Sequence, residues 1–183
     1  MAKIQLPTLQ ELMGFFFKAN LEVGWASENP RISETDCGEY TTTFRDGDLC
    51  FLDRWYSGDD RIVGVSYSYG RTNIRLGIRD IWLMTYQGWY TNAAIRESVI
   101  PVLRATYKAG KFIGGRGETV ECQNKFSYRN EVETCPGYYA REFDHPMISF
   151  RGVETVMDSF QTMAGFHIYQ GGLLTEDLKL ELE

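Results

Sequence analysis

The sequence predicts an α+β fold in which a helix-plus-four-strand unit occurs twice, giving a mainly antiparallel curved sheet packed on two helices. Three observations predict it. Hydrophobic spacing is helical in the first twenty residues and again between residues 92 and 110, and alternates like strands after each of those stretches. Turn residues punctuate both alternating stretches at short intervals. Blocks also recur: Tyr40, Phe51, Gly64 and Val65 return 88 positions later as Tyr128, Tyr139, Gly152 and Val153, and Tyr86-Gln87-Gly88 returns after 83 as Tyr169-Gln170-Gly171. Phe17-Lys18-Ala19-Asn20 is echoed by Tyr107-Lys108-Ala109-Gly110 at an offset of 90. Residues 1–183 therefore read as a single domain of two pseudo-repeats, about 7–91 and 92–175, organised around Phe51–Tyr90 and its counterpart starting near Tyr139.

The first helix starts after Thr8, because Thr8 and Glu11 have capping-box spacing with Pro7 just outside. Leu9, Leu12, Met13, Phe16 and Phe17 form its apolar face, and Asn20, a residue that tolerates the left-handed conformation, marks its end. Glu28 to Gly38 carries Pro30, Ser33, Asp36 and Gly38 without periodicity and reads as a loop. Strands follow as EYTTTF, a turn at Asp46-Gly47-Asp48, LCFLDRWY, a turn at Ser57-Gly58-Asp59-Asp60, and RIVGVSYSY. Gly70-Arg71-Thr72-Asn73 reads as a turn, RTNIRLGIRD as a short extra hairpin, and IWLMTYQGWY as the last strand of the first half.

The second helix runs from a cap at Thr91 or Asn92 to Gly110, with Ile95, Val99, Val102, Leu103 and Tyr107 as its buried stripe and Pro101 expected to kink or split it. Gly114-Gly115-Arg116-Gly117 is a loop, followed by strands in TVECQNKFSYRNEVE, GYYAREF, MISFRGVETVM and MAGFHIYQGG. Gly64 to Tyr86 spans five more residues than Gly152 to Tyr169, which makes GRTNIRLGIRD the main asymmetry between the halves.

Composition bounds the function. A formal net charge of -6 and a pI near 5.1 argue against direct nucleic-acid binding, which needs clustered Lys and Arg, and favour a small molecule or a protein as partner. No apolar run approaches the ~20 residues that span a bilayer, and the N-terminus lacks a signal-peptide layout, so no membrane is expected and the location reads as cytoplasmic. Cys37, Cys50, Cys122 and Cys135 lack zinc-ligand spacing and read as free thiols, with no metal and no cofactor expected.

Several residues invite chemistry. Asp53 and Glu154 sit mid-strand beside aromatics and would suit general acid–base work if their environments pushed their pKa values apart. The plainer reading pairs Asp53 with Arg54 or Arg61, and Glu154 with Arg141 or Arg151. His145 and His167 are the only histidines, and no nucleophile elbow accompanies them. Gly114–Gly117 has the makings of an anion cradle with Arg116 as its clamp, although a flexible linker weighs more. The aromatic set Trp55, Tyr56, Trp82, Tyr86, Trp89, Tyr90, Tyr138, Tyr139 and Tyr169 suits the lining of a pocket.

The spacing F-L-D-R-W-Y-S-G, I-V-G and W-L-M-T-Y-Q-G, with Arg116-Gly117, Tyr128, Phe150-Arg-Gly152-Val-Glu154 and Tyr169-Gln-Gly171-Gly172, resembles an uncharacterised bacterial family, domain of unknown function 5680. The resemblance runs from the first helix to Gly172 and departs at Ser66, where Glu is expected, and at Thr85, where Asn is usual. Members occur alone or behind a helix-turn-helix domain, which implies a sensor role. The expected function is a non-enzymatic binding or sensor domain that recognises a small molecule or protein segment in an aromatic cleft between the repeats. Asp53, Trp55, Trp82, Tyr86, Arg116, Glu154 and Tyr169 are its expected ligand-binding residues. A small hydrolase using Asp53 and Glu154, and an inhibitor or adaptor acting through an acidic surface, are the alternatives.

Overall fold

A computed structural model describes residues 6–60, 64–91, 93–123, 126–134 and 145–175. The chain is α+β. Helix α1 (Leu9–Glu22) precedes strands β1 (Ser33–Glu34), β2 (Glu39–Asp46), β3 (Leu49–Asp60), β4 (Val65–Leu76) and β5 (Arg79–Tyr90). Helix α2 (Ala93–Lys108) then precedes β6 (Val120–Gln123), β7 (Phe126–Thr134), β8 (Ser149–Met157) and β9 (Met163–Leu173).

The strands form one antiparallel sheet in the order β1-β2-β3-β4-β5-β9-β8-β7-β6. Apart from the two-residue β1, the order is the same in either direction from the β5–β9 seam. Each side of the seam is a meander, and the seam pairs Tyr86 with Tyr169.

Local chemistry explains most element ends. The Thr8 side chain accepts from the Glu11 amide at 3.2 Å while Glu11 reaches back to the Thr8 amide at 2.7 Å, completing the capping box. α1 continues past Asn20 to Glu22, because Asn20 is buried and spends its side-chain amide on the Phe16 carbonyl instead of terminating the helix. Gly47 takes φ 57 in the β2–β3 turn. α2 is continuous through the exposed Pro101, and Val99, Leu103 and Tyr107 bury as expected; the side chain of Ile95 lies outside the described residues.

Three expected turns fall differently. Ser57–Asp60 belongs to β3, and Gly70–Asn73 lies inside β4, paired with Trp55 through Leu52 on one side and Tyr86 through Leu83 on the other. The reversal in RTNIRLGIRD comes instead at Gly77, with φ 59, and Ile78, so this segment is the β4–β5 hairpin and not an extra one. Gly152, paired with Tyr169, holds in β8 the place that Gly70, paired with Tyr86, holds in β4. Measured from Gly70 instead of Gly64, the two hairpins differ by one residue, and the expected asymmetry disappears. The expected GYYAREF strand lies outside the described residues.

Both helices cover one face of the sheet, α1 against β2 and β3 and α2 against β5, β7 and β9, and they touch each other. Phe16 is the hub of the core, with Trp82 and Phe112 each at 5.4 Å and Tyr107 at 5.8 Å between ring centroids. Inward residues of neighbouring strands pair large with absent side chains. Gly152 is where the Tyr169 ring lies, and a Cβ there would run into it. We predict that Gly152→Ala costs about 1–3 kcal/mol by overpacking. Gly58→Ala, with nothing within 4 Å, should change stability by less than about 0.5 kcal/mol. Urea unfolding of both variants checks the contrast.

Candidate functional site

Strand alternation sends every second side chain of β3, β4, β5, β9 and β8 toward the helices, and the registers stack these into rows across the sheet. One row carries Asp53, Thr72 and Met84. The next carries Trp55, Gly70, Tyr86, Tyr169 and Gly152. The third carries Ser68, Gly88, His167, Glu154 and Asn130. The glycines decide who touches whom. Because Gly88 lacks a side chain, Ser68 on β4 reaches across β5 to His167 on β9, with 3.1 Å between Oγ and Nε2.

Arg116 enters this face from the turn after α2. Gly114 at φ 59 and Gly115 at φ 71 allow the reversal, and the turn is tied down by Tyr107 donating to the Gly115 carbonyl at 2.6 Å. The Asn130 amide donates to the Ile113 and Gly117 carbonyls at 3.2 and 2.8 Å, and the Tyr128 hydroxyl accepts from the Gly117 amide at 3.0 Å. The segment is thus a packed support and not the flexible linker that its composition favours. It drives the Arg116 guanidinium between two tyrosine rings, 5.4 Å from the centroid of Tyr86 and 5.7 Å from that of Tyr169.

Glu154, fully buried, is the counter-charge. Its Oε1 accepts from the Tyr90 hydroxyl at 2.7 Å and its Oε2 from the Tyr128 hydroxyl at 2.8 Å, with Arg116 Nη1 at 3.9 Å from Oε2. Burial alone would raise its pKa, but the Arg116 charge, His167 and the Tyr90 hydroxyl bring it down to about 2. Burial likewise opposes the charge on Arg116, and the Glu154 carboxylate outweighs it, so the guanidinium stays charged. Its Nε is buried without a hydrogen-bond partner, and the 3.9 Å contact of Nη1 with Glu154 is longer than a hydrogen bond.

Asp53 is the second buried carboxylate. Its Oδ1 accepts from the Tyr86 hydroxyl and from Thr72 Oγ1, both at 2.9 Å. Burial raises its pKa to about 6, against the pull of those two hydroxyls and of Arg116. His167 is 2% exposed, and burial lowers its pKa. Its Nδ1 lies 3.3 Å from Glu154 Oε1, but the N–H points off that line, so the contact is electrostatic and not a formed hydrogen bond.

These groups surround a chamber of about 60 Å³ lined by Asp53, Trp55, Ser68, Tyr86, Arg116 and His167 and roofed by α2. A larger hollow of about 610 Å³ lies on the opposite face, along β5, β9, β8 and β7. Its charged lining includes the Arg151–Glu133 pair, two-thirds exposed, whereas Arg116 and His167 of the inner chamber each bury a nitrogen without a hydrogen-bond partner. We take the chamber as the candidate site.

Of the residues singled out in the sequence, Asp53, Trp55, Tyr86 and Arg116 line the chamber, and Glu154 and Tyr169 contact Arg116 from behind it. Trp82 does not reach it. It is fully buried, stacked on Phe150 at 6.0 Å, and donates its indole N–H to the Met147 carbonyl at 3.0 Å. The expected arginine partners also differ: no ion pair joins Asp53 to Arg54, Arg151 pairs with Glu133, and Arg61 and Arg141 lie outside the described residues. Ser68 was missed, and His167 was not connected to it, because their contact depends on register across three strands. No group of three or more His, Cys, Asp or Glu that could hold a metal is present among the described residues.

No protein-family model, no characterised protein and no solved structure matches the chain.

Asp53 gives a pH test with a definite sign. Its folded pKa lies above the ordinary carboxylate value, so its contribution is full below about pH 4 and is lost as pH rises through about 6. Asp53→Asn keeps an acceptor for both hydroxyls and cannot ionise. The variant should gain on the order of 1–3 kcal/mol over wild type at pH 7.5 and nothing at pH 4. Urea unfolding across that range checks it.

Proposed function

We propose that the protein is a ligand-binding domain of the sensor type whose chamber takes a small anionic molecule, with Arg116 as the anchor. The observation that carries this is the Arg116 guanidinium: only 13% exposed, charged, flanked by two aromatic rings, and with a buried Nε that has no hydrogen-bond partner. A buried donor without a partner costs free energy that a bound carboxylate would recover. The volume is about that of two water molecules, which limits an occupant to the size of formate or acetate.

We also read the chain as a duplication whose halves meet at this site. The support is a matched set of side chains. Tyr86 donates to Asp53, and Tyr169 donates to Asn130; Gly70 makes room for Tyr86, as Gly152 does for Tyr169. In this register Thr72, not Ser66, corresponds to Glu154.

A second reading, the small hydrolase working through Asp53 and Glu154, draws on their pKa values of about 6 and about 2, the separation that distinct acid and base roles require.

Thermal shift with formate, acetate, phosphate and sulfate at constant ionic strength tests the binding reading. A ligand at one hundred times its Kd stabilises by about 2.7 kcal/mol. Acetate or formate should give a saturable shift, and Arg116→Met with Glu154→Gln should abolish it, the pair being changed together so that no buried charge is stranded. The absence of any saturable shift, or its persistence in the double variant, would overturn the assignment and favour an adaptor.

A further inference from the structure

We propose that Ser68, His167 and Glu154 constitute an acyl-transfer site that hydrolyses small acetyl esters, with Ser68 Oγ as nucleophile, His167 as base and Glu154 as the residue that positions His167. The inference rests on the same chamber as the binding reading, and on a separate observation: the three side chains are aligned in one cross-strand row, and Ser68 and His167 both line the cavity.

The protonation states follow from the neighbours. Glu154 is ionised and can only accept, so the proton of a neutral His167 belongs on Nδ1, which faces Oε1 at 3.3 Å. That leaves Nε2 as an acceptor for the Ser68 hydroxyl at 3.1 Å. Burial lowers the His167 pKa and so favours the neutral ring that a general base requires, and the Glu154 carboxylate beside it opposes that shift. The Nδ1 contact is bent, as catalytic contacts often are before substrate binds. A serine hydrogen-bonded to a base whose other nitrogen lies beside a carboxylate, which a small ring rotation would bring into line, is the arrangement nucleophilic catalysis needs, whatever the order of the residues in the chain.

The steps balance with water as the only co-reactant. Ser68 Oγ attacks the acyl carbon as its proton passes to His167 Nε2, and the carbonyl electrons move onto oxygen. Arg116 has unspent donors in the same small chamber to meet that oxyanion. Collapse breaks the ester C–O bond, and His167 returns the proton to the departing alkoxide. Water, deprotonated by His167, then attacks the acyl-serine; the Ser68 C–O bond breaks, the serine recovers its proton, and acetate is released. The product is of the anion class that Arg116 is proposed to hold. With about 60 Å³ available, the acyl group is limited to acetyl size, and the alcohol portion must leave toward the Ser68 side, where the chamber wall is half-exposed.

A fluorophosphonate probe on the wild-type protein tests this without a variant. Peptide mapping should place one adduct per chain on Ser68, and labelling should be blocked by prior heat unfolding. Hydrolysis of p-nitrophenyl acetate should fall by about 100-fold or more in Ser68→Ala and in His167→Gln. Ser68→Ala removes a partly buried hydroxyl together with its bond to His167, and should fold with a somewhat lower melting temperature. Absence of an adduct, an adduct on another residue, or unchanged hydrolysis in a folded Ser68→Ala would overturn the proposal. An acetate-induced thermal shift that persists alongside such a failure leaves the binding reading standing; loss of both removes the chamber as a site.

Discussion

The buried pair of Arg116 and Glu154 is the interaction on which the rest of this face depends. Two opposite charges about 4 Å apart attract by about 4 kcal/mol at an effective dielectric of 20, less than the several kcal/mol per ion that desolvation takes. The deficit has to be met by hydrogen bonds, and Glu154 has them in the Tyr90 and Tyr128 hydroxyls. Tyr128 then spends its oxygen a second time on the Gly117 amide, which fixes the turn that carries Arg116. The carboxylate thus holds, through one tyrosine, the loop that delivers its own counter-charge. The pair is asymmetric in this respect: each Glu154 oxygen accepts a hydrogen bond, whereas the Arg116 Nε has no partner.

The geometry that makes such burial possible is a matter of missing side chains. Two tyrosines face each other across the β5–β9 seam, and their rings must lie over neighbouring strands. Gly70 and Gly152 leave that space, and their strands remain extended and paired, so nothing is lost from the ladder. Gly88 performs the same service for Ser68 and His167. Each glycine weakens its strand slightly in isolation, yet together they turn the sheet face into a set of slots in which polar groups from different strands meet. Rigidity follows from filled slots, since a ring lying where a Cβ would be has no room to change rotamer.

Much of the fold was legible because it is local chemistry. The capping box at Thr8, the Gly47 turn, the stripe on α2 and the alternation along β3 and β5 all depend on residues within a few positions of one another. Alternation put Asp53 with Trp55, and Trp82 with Tyr86, on shared faces, but both faces of β3 are mixed in character and alternation did not say which one points inward. What failed depended on pairing. Gly70–Asn73 has turn composition, but its backbone groups are claimed on both sides by β3 and β5, and ladder pairing outweighed propensity. Gly64 shares a Gly-Val dipeptide with Gly152, yet the sheet aligns Gly152 with Gly70, which has Arg71 after it and no resemblance in sequence. Trp82 sits on the correct face but one row beyond Met84, where Phe150 and Phe112 enclose it. Alternation assigns a face; only register assigns a row, and the site is a property of rows.

Asp53 is an ionisable group where the fold could have used a neutral one. On the proposed duplication its counterpart is Asn130, which accepts from Tyr169 as Asp53 accepts from Tyr86. The amide shows that the hydrogen bond itself does not require a carboxylate. An ionisable group that burial pushes up to about 6 is a poorer structural choice than the amide its twin uses, so the carboxylate at Asp53 answers to something other than the fold. Its charge state sets the balance of the chamber. With Asp53 ionised, Arg116 faces two carboxylates and an entering anion meets a net negative field; with Asp53 protonated, Arg116 and Glu154 cancel and the anion gains the unspent donors. An anion in the chamber would in turn raise the Asp53 pKa further. If the chamber takes an anion at Arg116 as proposed, proton uptake at Asp53 and that binding are linked, each strengthening the other by the same free energy.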